Sequence, residues 1–294
     1  MIIVKVCEGL GNQLFQYAFA RSIQIKSGKK VFLDVSDYTN QRFPLGRRST
    51  KRNYQLEHFN IKINKAGKKE LQKYYFLISK GMVGKWISIL EEHHLWMYKV
   101  FIQQNAWEYK ENYLKIKGNV YYKGWFQNPK YFSSIREQLI KEITPKNKIH
   151  IQPELRRLLQ GDNTVAVHCR RGDYKYIRNC LPVEYYAKAI AYMEEKLETP
   201  QYLFFSDDLP WAREQFGNKE NFYYIDSYGR FEDYEELMIM SKCRNIIIAN
   251  STFSWWAAWL NSYENKVVIM PHIWAYARGK RVEVHDFPSD WIRI

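Results

Sequence analysis

The sequence predicts an α/β protein built on mainly parallel, doubly wound sheets, and three observations predict it. Short apolar runs rich in β-branched residues alternate with segments of helical periodicity through the second half of the chain. The chain opens on a strand, turn, helix and strand. The polar residues with chemistry to offer fall at the carboxyl ends of the apolar runs, the edge at which open α/β sheets bind ligands.

In the first half, residues 2 to 7 read as a buried strand and Gly9 and Gly11 as a turn. Asn12 to Ser27 reads as a helix with Leu14, Tyr17, Ala18, Arg21 and Ile25 at helical spacing. Val31 to Val35 follows as a strand ending near Asp34. Gly9-Leu-Gly-Asn-Gln-Leu14 approaches a dinucleotide-binding fingerprint, but Leu14 stands where a third glycine must let the helix close on the strand, so a nicotinamide or flavin role is set aside. Tyr38 to Thr50 is loop-like, and Arg42, Arg47, Arg48, Lys51 and Arg52 cluster in and just after it. Residues 68 to 102 read as helical, with Tyr74, Tyr75, Phe76, Trp86, Trp96, Tyr98 and Phe101 among lysines. Such a segment either lies on an anionic membrane surface or packs its rings in a core while the lysines snorkel; packing is the commoner case. A strand and turn over residues 120 to 126 and a helix near Pro129 to Glu142 complete this half.

Thr144 to Pro153, with two prolines and polar neighbours, predicts the boundary between domains at 1–150 and 151–294, the last residues packing back on the first. Beyond it, strand Thr164 to Cys169 precedes a helix opening at Leu181-Pro182, and strand Gln201 to Ser206 precedes one at Leu209-Pro210. Strand Phe222 to Ile225 precedes a helix across Phe231 to Ser241, and strand Asn245 to Ala249 one starting near Ser254. Val267 to Met270 reads as the last strand, closed by Pro271.

Over 294 residues the chain carries 45 Lys+Arg against 31 Asp+Glu, a net charge of +14. Residues 1–150 hold 27 against 11 and residues 151–294 hold 18 against 20, so the basic character belongs to the first half. That asymmetry fits an anionic surface partner, an acidic lipid leaflet or a nucleic acid, and equally a solvated lysine-rich face. The nucleic-acid reading expects arginines and aromatics on one module, whereas the Arg170-Arg171 pair lies in the half of net charge −2. Four cysteines (Cys7, Cys169, Cys180, Cys243) without C-x-x-C spacing point away from a zinc site or a disulfide framework and toward a reducing cytosol. Neither a signal segment nor an apolar run of the roughly 18 residues that a span needs is evident.

The strand ends converge on one chemistry. His168, Arg170, Arg171 and Asp173 follow one strand, Asp207 and Asp208 the next, Asp226 a third, and Asn250, Ser251 and Ser254 a fourth. Arginine stays charged and offers a planar fork to phosphate oxygens. The Asn250 to Ser254 turn adds hydroxyls and backbone N–H donors at a positive helix end. Together they describe a diphosphate site. Asp207 and Asp208 are adjacent, so in an extended segment they point to opposite faces, and no acidic or histidine cluster has metal-ligand spacing. Fixed cations, rather than a metal, are therefore expected to offset charge on a leaving diphosphate. A purely structural role, as salt-bridged corner, helix cap and tryptophan core, stands beside this reading; for Trp255, Trp256 and Trp259 core packing is the simpler account.

His168-Cys-Arg-Arg-Gly-Asp-Tyr174, Phe205-Ser-Asp-Asp208 and Ile247-Ile-Ala-Asn-Ser-Thr-Phe-Ser-Trp-Trp256 resemble, in that order, the signatures of the α-1,2-fucosyltransferases of glycosyltransferase family 11. Gly9-Leu-Gly-Asn-Gln-Leu-Phe-Gln-Tyr-Ala18 resembles that family's N-terminal motif. The resemblance implies a GT-B fold of two facing Rossmann-like domains, a GDP-fucose donor, no required cofactor or metal, and inversion at the anomeric carbon to give an α-1,2 linkage to a galactose-type acceptor. It implies that Arg170 holds the donor phosphates with Arg171 and Asp173 completing the loop, that His168 and Glu236 lie against guanine, and that Ser254 and its turn contact the diphosphate. Two departures stand out: Glu8 precedes Gly9 where the family motif begins with a second glycine, and glutamate replaces the usual aspartate at Glu236.

An inverting transfer needs a base for the acceptor hydroxyl. Asp173, nearest the arginine pair in sequence, is the first candidate and Glu8 the second, although a carboxylate beside arginine is a poorer proton acceptor and Asp173 is equally suited to orienting one. The expectation is thus a fucosyltransferase whose basic first half takes a galactose-containing, lipid-linked or lipopolysaccharide oligosaccharide and whose second half takes GDP-fucose. It is expected in the cytoplasm, peripheral at the inner face of the membrane. The rivals are a nucleic-acid-binding protein without enzymatic activity and a transferase of another GDP-sugar.

Overall fold

The computed structural model describes residues 1–39, 52–74, 98–115, 118–277, 280–284 and 286–294. The chain divides into two compact units whose junction in sequence lies between Lys146 and Asn147. The structure thus has the mainly parallel α/β class that strand and helix alternation predicts, one sheet in each unit.

The first unit contains β1 (Ile2–Lys5), α1 (Leu10–Ser27), β2 (Val31–Asp34), β3 (Asn64–Lys65), β4 (Tyr98–Ile102), β5 (Asn119–Lys123) and α2 (Arg136–Glu142). Its sheet has the order β3-β2-β1-β5-β4 and every pairing is parallel. Strands β1 and β2 are buried throughout and read as apolar runs up to their last residues, Lys5 and Asp34, which pair with each other at 3.4 Å. Helix α1 closes on Gly28, whose φ of 64° suits glycine and whose N–H bonds Gln24 O at 3.0 Å. Its inner face packs Phe19 flat on Phe126, ring centroids 3.9 Å apart. Glu142 of α2 is buried and accepts from Tyr17 and from Arg21 Nη2 at 2.7 Å, tying α2 to α1.

The helix expected over residues 68–102 is corrected at both described ends. Lys68–Gln72 is one short helix, and Tyr98–Ile102 is a strand in register with Asn119–Lys123. Aromatic and β-branched residues in Tyr-Lys-Val-Phe-Ile favour the pleated conformation once a partner strand is present, which helical spacing of rings does not disclose. Residues 75–97, on which the membrane-surface helix depends, and the basic positions 42–51 lie outside the described residues. Among the described residues no helix is long and apolar enough to cross a membrane.

The second unit contains α3 (Pro153–Gln160), β6 (Thr164–Cys169), α4 (Val183–Lys196), β7 (Gln201–Ser206), α5 (Leu209–Phe216), β8 (Phe222–Tyr224), α6 (Asp233–Met240), β9 (Asn245–Ile247), α7 (Thr252–Leu260), β10 (Val268–Met270), β11 (Ala275–Ala277), β12 (Lys280–Val282) and β13 (Ile292–Arg293). The six-stranded sheet has the order β13-β10-β9-β6-β7-β8, all parallel. Strand β10 is not the last: β11 and β12 form an antiparallel hairpin and β13 pairs with β10. Strand β13 completes an edge of the second sheet; a two-residue strand leaves almost no periodic signal. In α7 the bland reading of the tryptophans holds, since Trp255 and Trp256 are fully buried and Trp259 nearly so.

Both sheets carry a topological switch. From β6 the chain winds outward through β7 and β8, then returns to lay β9, β10 and β13 on the other side. From β1 it winds to β2 and β3, and β5 and β4 occupy the opposite flank. Crevices therefore open past the carboxyl ends of β6 and β9 in one unit and of β1 and β5 in the other.

Candidate functional site

Strand β6 is buried along its whole length and ends in the segment Arg170 to Tyr174, whose loop is held by its own charges. Arg170 Nη2 lies 2.5 Å from Asp173 Oδ1 and Nη1 lies 2.9 Å from Asp207 Oδ2, so its guanidinium is clamped between two carboxylates. Burial would lower the Arg170 pKa, but Asp207 and then Asp173 outweigh it and raise the pKa, fixing the charge. Asp207 also accepts from the backbone N–H of Arg171 at 2.8 Å. Asp207 can come so close only because residue 172 is glycine: a Cβ there would stand 2.5 Å from Asp207 Oδ2.

Arg171 is turned to a different use. Its guanidinium lies 3.8 Å from the ring centroid of Trp211, and its Nε is 3.6 Å from Asp208 Oδ2. Asp208 also binds Lys175, which holds its carboxyl below the usual range, and caps α5 by accepting from Trp211 N at 3.4 Å. Arg171, expected to complete the loop, does so by cation–π stacking on Trp211, and Asp208 is both cap and loop anchor.

On the other side of the crevice, α7 begins beside the β6 loop. Tyr174 Oη donates to Asn250 O at 3.1 Å, and the His168 and Phe253 rings lie 5.5 Å apart. Asn250 is buried; its Nδ2 donates to Asn179 O at 3.0 Å, while its Oδ1 has no hydrogen-bond partner. His168 is likewise buried and its Nδ1 has none. Burial drives the His168 pKa well below its usual value, with Asp207 opposing and Arg170 reinforcing, so the ring is neutral. The orphaned His168 Nδ1 and Asn250 Oδ1, together with Arg171 Nε in the same loop, are a cost that a bound polar ligand can reduce.

Ser251 caps α7, accepting from Phe253 N at 3.4 Å. Ser254 differs from expectation: it is fully buried and its hydroxyl is 3.4 Å from both Ala249 O and Ser251 O, inside its own helix turn. At this turn it is the backbone N–H groups that remain suited to an anion. Glu236, in the first turn of α6, is half-buried and its carboxyl is pushed up to about 7 by burial, then by Asp233, Asp207 and Asp226. Asp226 itself is occupied by Arg213 at 2.9 and 2.5 Å. The structure thus gathers His168, Arg170, Asp207 and Asn250 at the switch point and brings Glu236 toward Asp207. Gly172 and Phe253, inside the motifs, and Asn179, outside them, belong with them. Among the described residues no group of His, Cys, Asp or Glu is arranged to hold a metal ion.

Comparison with known proteins places this geometry. The family model "Glycosyl transferase family 11" matches residues 1–294. The chain is 30% identical over 316 residues to an O-antigen biosynthesis glycosyltransferase, WbnK, of Escherichia coli, covering 97% of this chain and 98% of that protein. It is 30% identical over 311 residues to an α-1,2-colitosyltransferase of Escherichia coli, covering 100% and 99%. Among solved structures, an Arabidopsis thaliana FUT1 mutant in complex with GDP superposes with a TM-score of 0.50 at 10% identity, over 98% of this chain and 74% of that one; this likeness shows the GT-B fold alone.

Proposed function

This chain belongs to glycosyl transferase family 11, and we propose that it moves fucose from GDP-fucose to the 2-hydroxyl of a galactose-type residue, giving an α-1,2 linkage with inversion. The observation that carries the reading is the clamped Arg170 beside the unpartnered His168 Nδ1 and Asn250 Oδ1, at the crevice where a nucleotide diphosphate would sit.

In this mechanism the acceptor oxygen attacks the anomeric carbon as the bond to the diphosphate breaks, and the electron pair departs on the β-phosphate. Arg170, already charged and oriented, offsets the growing negative charge together with the backbone N–H groups at the start of α7, so no metal is required. His168 offers its Nδ1, and Glu236 its carboxylate, to the guanine edge. Asp173, a candidate both for base and for orienting an arginine, has its carboxylate on Arg170, which supports the orienting role, and the acceptor hydroxyl's proton is taken up by water. The second unit takes the donor and the basic first unit the acceptor.

The acceptor belongs to a surface glycan or lipopolysaccharide, as the name of the WbnK relative supports, and the protein works in the cytoplasm against the inner membrane face. Sedimentation with anionic vesicles at low salt, lost as salt rises, checks the last point. A second reading, transfer of a different GDP-sugar, is favoured by the colitosyltransferase relative. The deciding experiment supplies GDP-fucose or GDP-mannose with a panel of β-galactosides and no divalent metal. Product with GDP-fucose alone supports the reading, and strongly salt-dependent RNA binding without any donor turnover would replace it.

A further inference from the structure

The amino-end rim of the first sheet collects cations without a carboxylate among them. Strands β2, β1, β5 and β4 lie side by side and run parallel, so their amino ends form one edge, about 15 Å across at the usual strand spacing. Lys29 and Lys30 lead into β2, and Lys30 O accepts from Ile2 N at 2.9 Å where β1 begins. Lys99 is the second residue of β4. Lys73 follows the short helix Lys68–Gln72 and precedes Tyr74, whose hydroxyl donates to Met1 O at 3.3 Å. Helix α1 ends at the same rim, with Ile25 and Lys26 in its last turn. Lys29 and Lys73 both act on the Met1 amine, whose pKa is lowered by burial and then by these two cations.

Lys26, Lys30, Lys73 and Lys99 are exposed, and none makes an ion pair among the described residues. The stretches that build the rim, residues 1–5, 24–32, 72–74, 98–100 and 118–121, contain no Asp or Glu. The carboxylates of these strands, Glu8, Asp34 and Asp37, stand at or past their carboxyl ends instead. Like charges so gathered repel one another, and an anionic surface that meets them together relieves the repulsion. Each of these cations is a lysine, a hydrated point charge on a flexible stem that adapts to a fluid layer of headgroups; nucleic acids favour arginine forks interleaved with aromatics. Ile25, 43% exposed beside Lys26, adds an apolar side chain suited to the headgroup boundary. A surface held at this rim leaves the carboxyl-end crevice of the same sheet open.

We propose that Lys26, Lys29, Lys30, Lys73 and Lys99 form the face by which the first unit docks on an anionic lipid bilayer. The proposal rests on the membrane-face location argued above and names the surface responsible for it. The test is sedimentation of the full chain at low salt with vesicles of equal parts phosphatidylglycerol and phosphatidylcholine. The rim variant carries Lys26→Gln, Lys30→Gln, Lys73→Gln and Lys99→Gln. A control carries Lys188→Gln, Lys196→Gln, Lys219→Gln and Lys242→Gln, exposed lysines of the second unit, so that both lose the same net charge. Each lysine near an anionic surface strengthens binding about fivefold, so the rim variant should bind about a hundredfold or more weakly while the control binds nearly as the unmodified chain does. The smaller change Lys30→Gln with Lys99→Gln, which disturbs the fold least, should cost about twentyfold. Equal losses in rim variant and control, or no loss in either, overturn the rim and leave the membrane location standing. No binding by the unmodified chain overturns both. Single-stranded RNA that binds more tightly than the vesicles, and is lost in the rim variant, replaces lipid as the partner and overturns the proposal.

Discussion

Gly172 and Asp207 are in contact in a way that only glycine allows, because a Cβ on Gly172 would lie 2.5 Å from Asp207 Oδ2. Asp207 in turn holds the Arg171 N–H and the Arg170 guanidinium, so the space left by one missing methyl sets the geometry of the whole loop. Gly172→Ala should push the carboxylate off both partners. The expected result is a stability loss of about 1–3 kcal/mol from overpacking, seen in urea unfolding, together with a donor KM raised roughly tenfold as Arg170 loses one of its two anchors.

Arg170 carries the charge that offsets departure of the diphosphate. Arg170→Ala should lower kcat by about a hundred- to a thousandfold, the size of effect seen when one fixed donor to a developing anion is removed. Arg170→Lys should rescue little, since a single ammonium cannot face Asp173, Asp207 and a phosphate in the manner of a planar fork. Steady-state transfer assays decide it; full activity in Arg170→Ala sinks the assigned site.

Asp173 separates orientation from proton transfer. If it positions Arg170, Asp173→Asn keeps an oxygen for the guanidinium and should cost about tenfold in kcat/KM, with the shape of the pH profile unchanged. A base would instead cost about a hundredfold or more in kcat and remove the acidic limb of the profile. The 2.5 Å contact predicts the first outcome.

Much of this was legible in the residues because buried parallel strands are written as unbroken apolar runs. Thr164 to Cys169 and Gln201 to Ser206 are strands over those same bounds, and the polar residues after them do meet at one rim. What stayed hidden was pairing. Tyr98–Ile102 becomes a strand only beside Asn119–Lys123, and Ile292–Arg293 only beside β10, partners far away in sequence. Side-chain direction was not legible in the motifs: the Ser254 hydroxyl turns into its helix and the Arg171 guanidinium lies on Trp211. Glu8 showed as a departure from a motif and as a second candidate base; its left-handed backbone, with φ of 68°, needed the structure.

Glu236 makes donor recognition depend on pH. Its carboxyl titrates at about 7 rather than its ordinary 4.5, chiefly through burial and then through Asp233, Asp207 and Asp226. Guanine offers N–H donors at its Watson–Crick edge, so Glu236 must be ionised to receive them. The proton on Glu236 therefore competes with the donor, and donor KM should rise as pH falls through about 7, while Glu236→Gln should show a high and nearly pH-independent KM. Stability should move the other way. A carboxyl whose pKa is raised by folding binds more protons in the native than in the unfolded chain between 4.5 and about 7, so native stability declines as pH rises across that window. Glu236→Gln should flatten the decline in a set of melting curves from pH 5 to pH 8. Bound GDP, by favouring the ionised carboxyl, should pull the midpoint down, so the difference in melting temperature between GDP-bound and free enzyme should widen with rising pH. A GDP-induced difference that stays constant from pH 5 to pH 8 would place the guanine elsewhere.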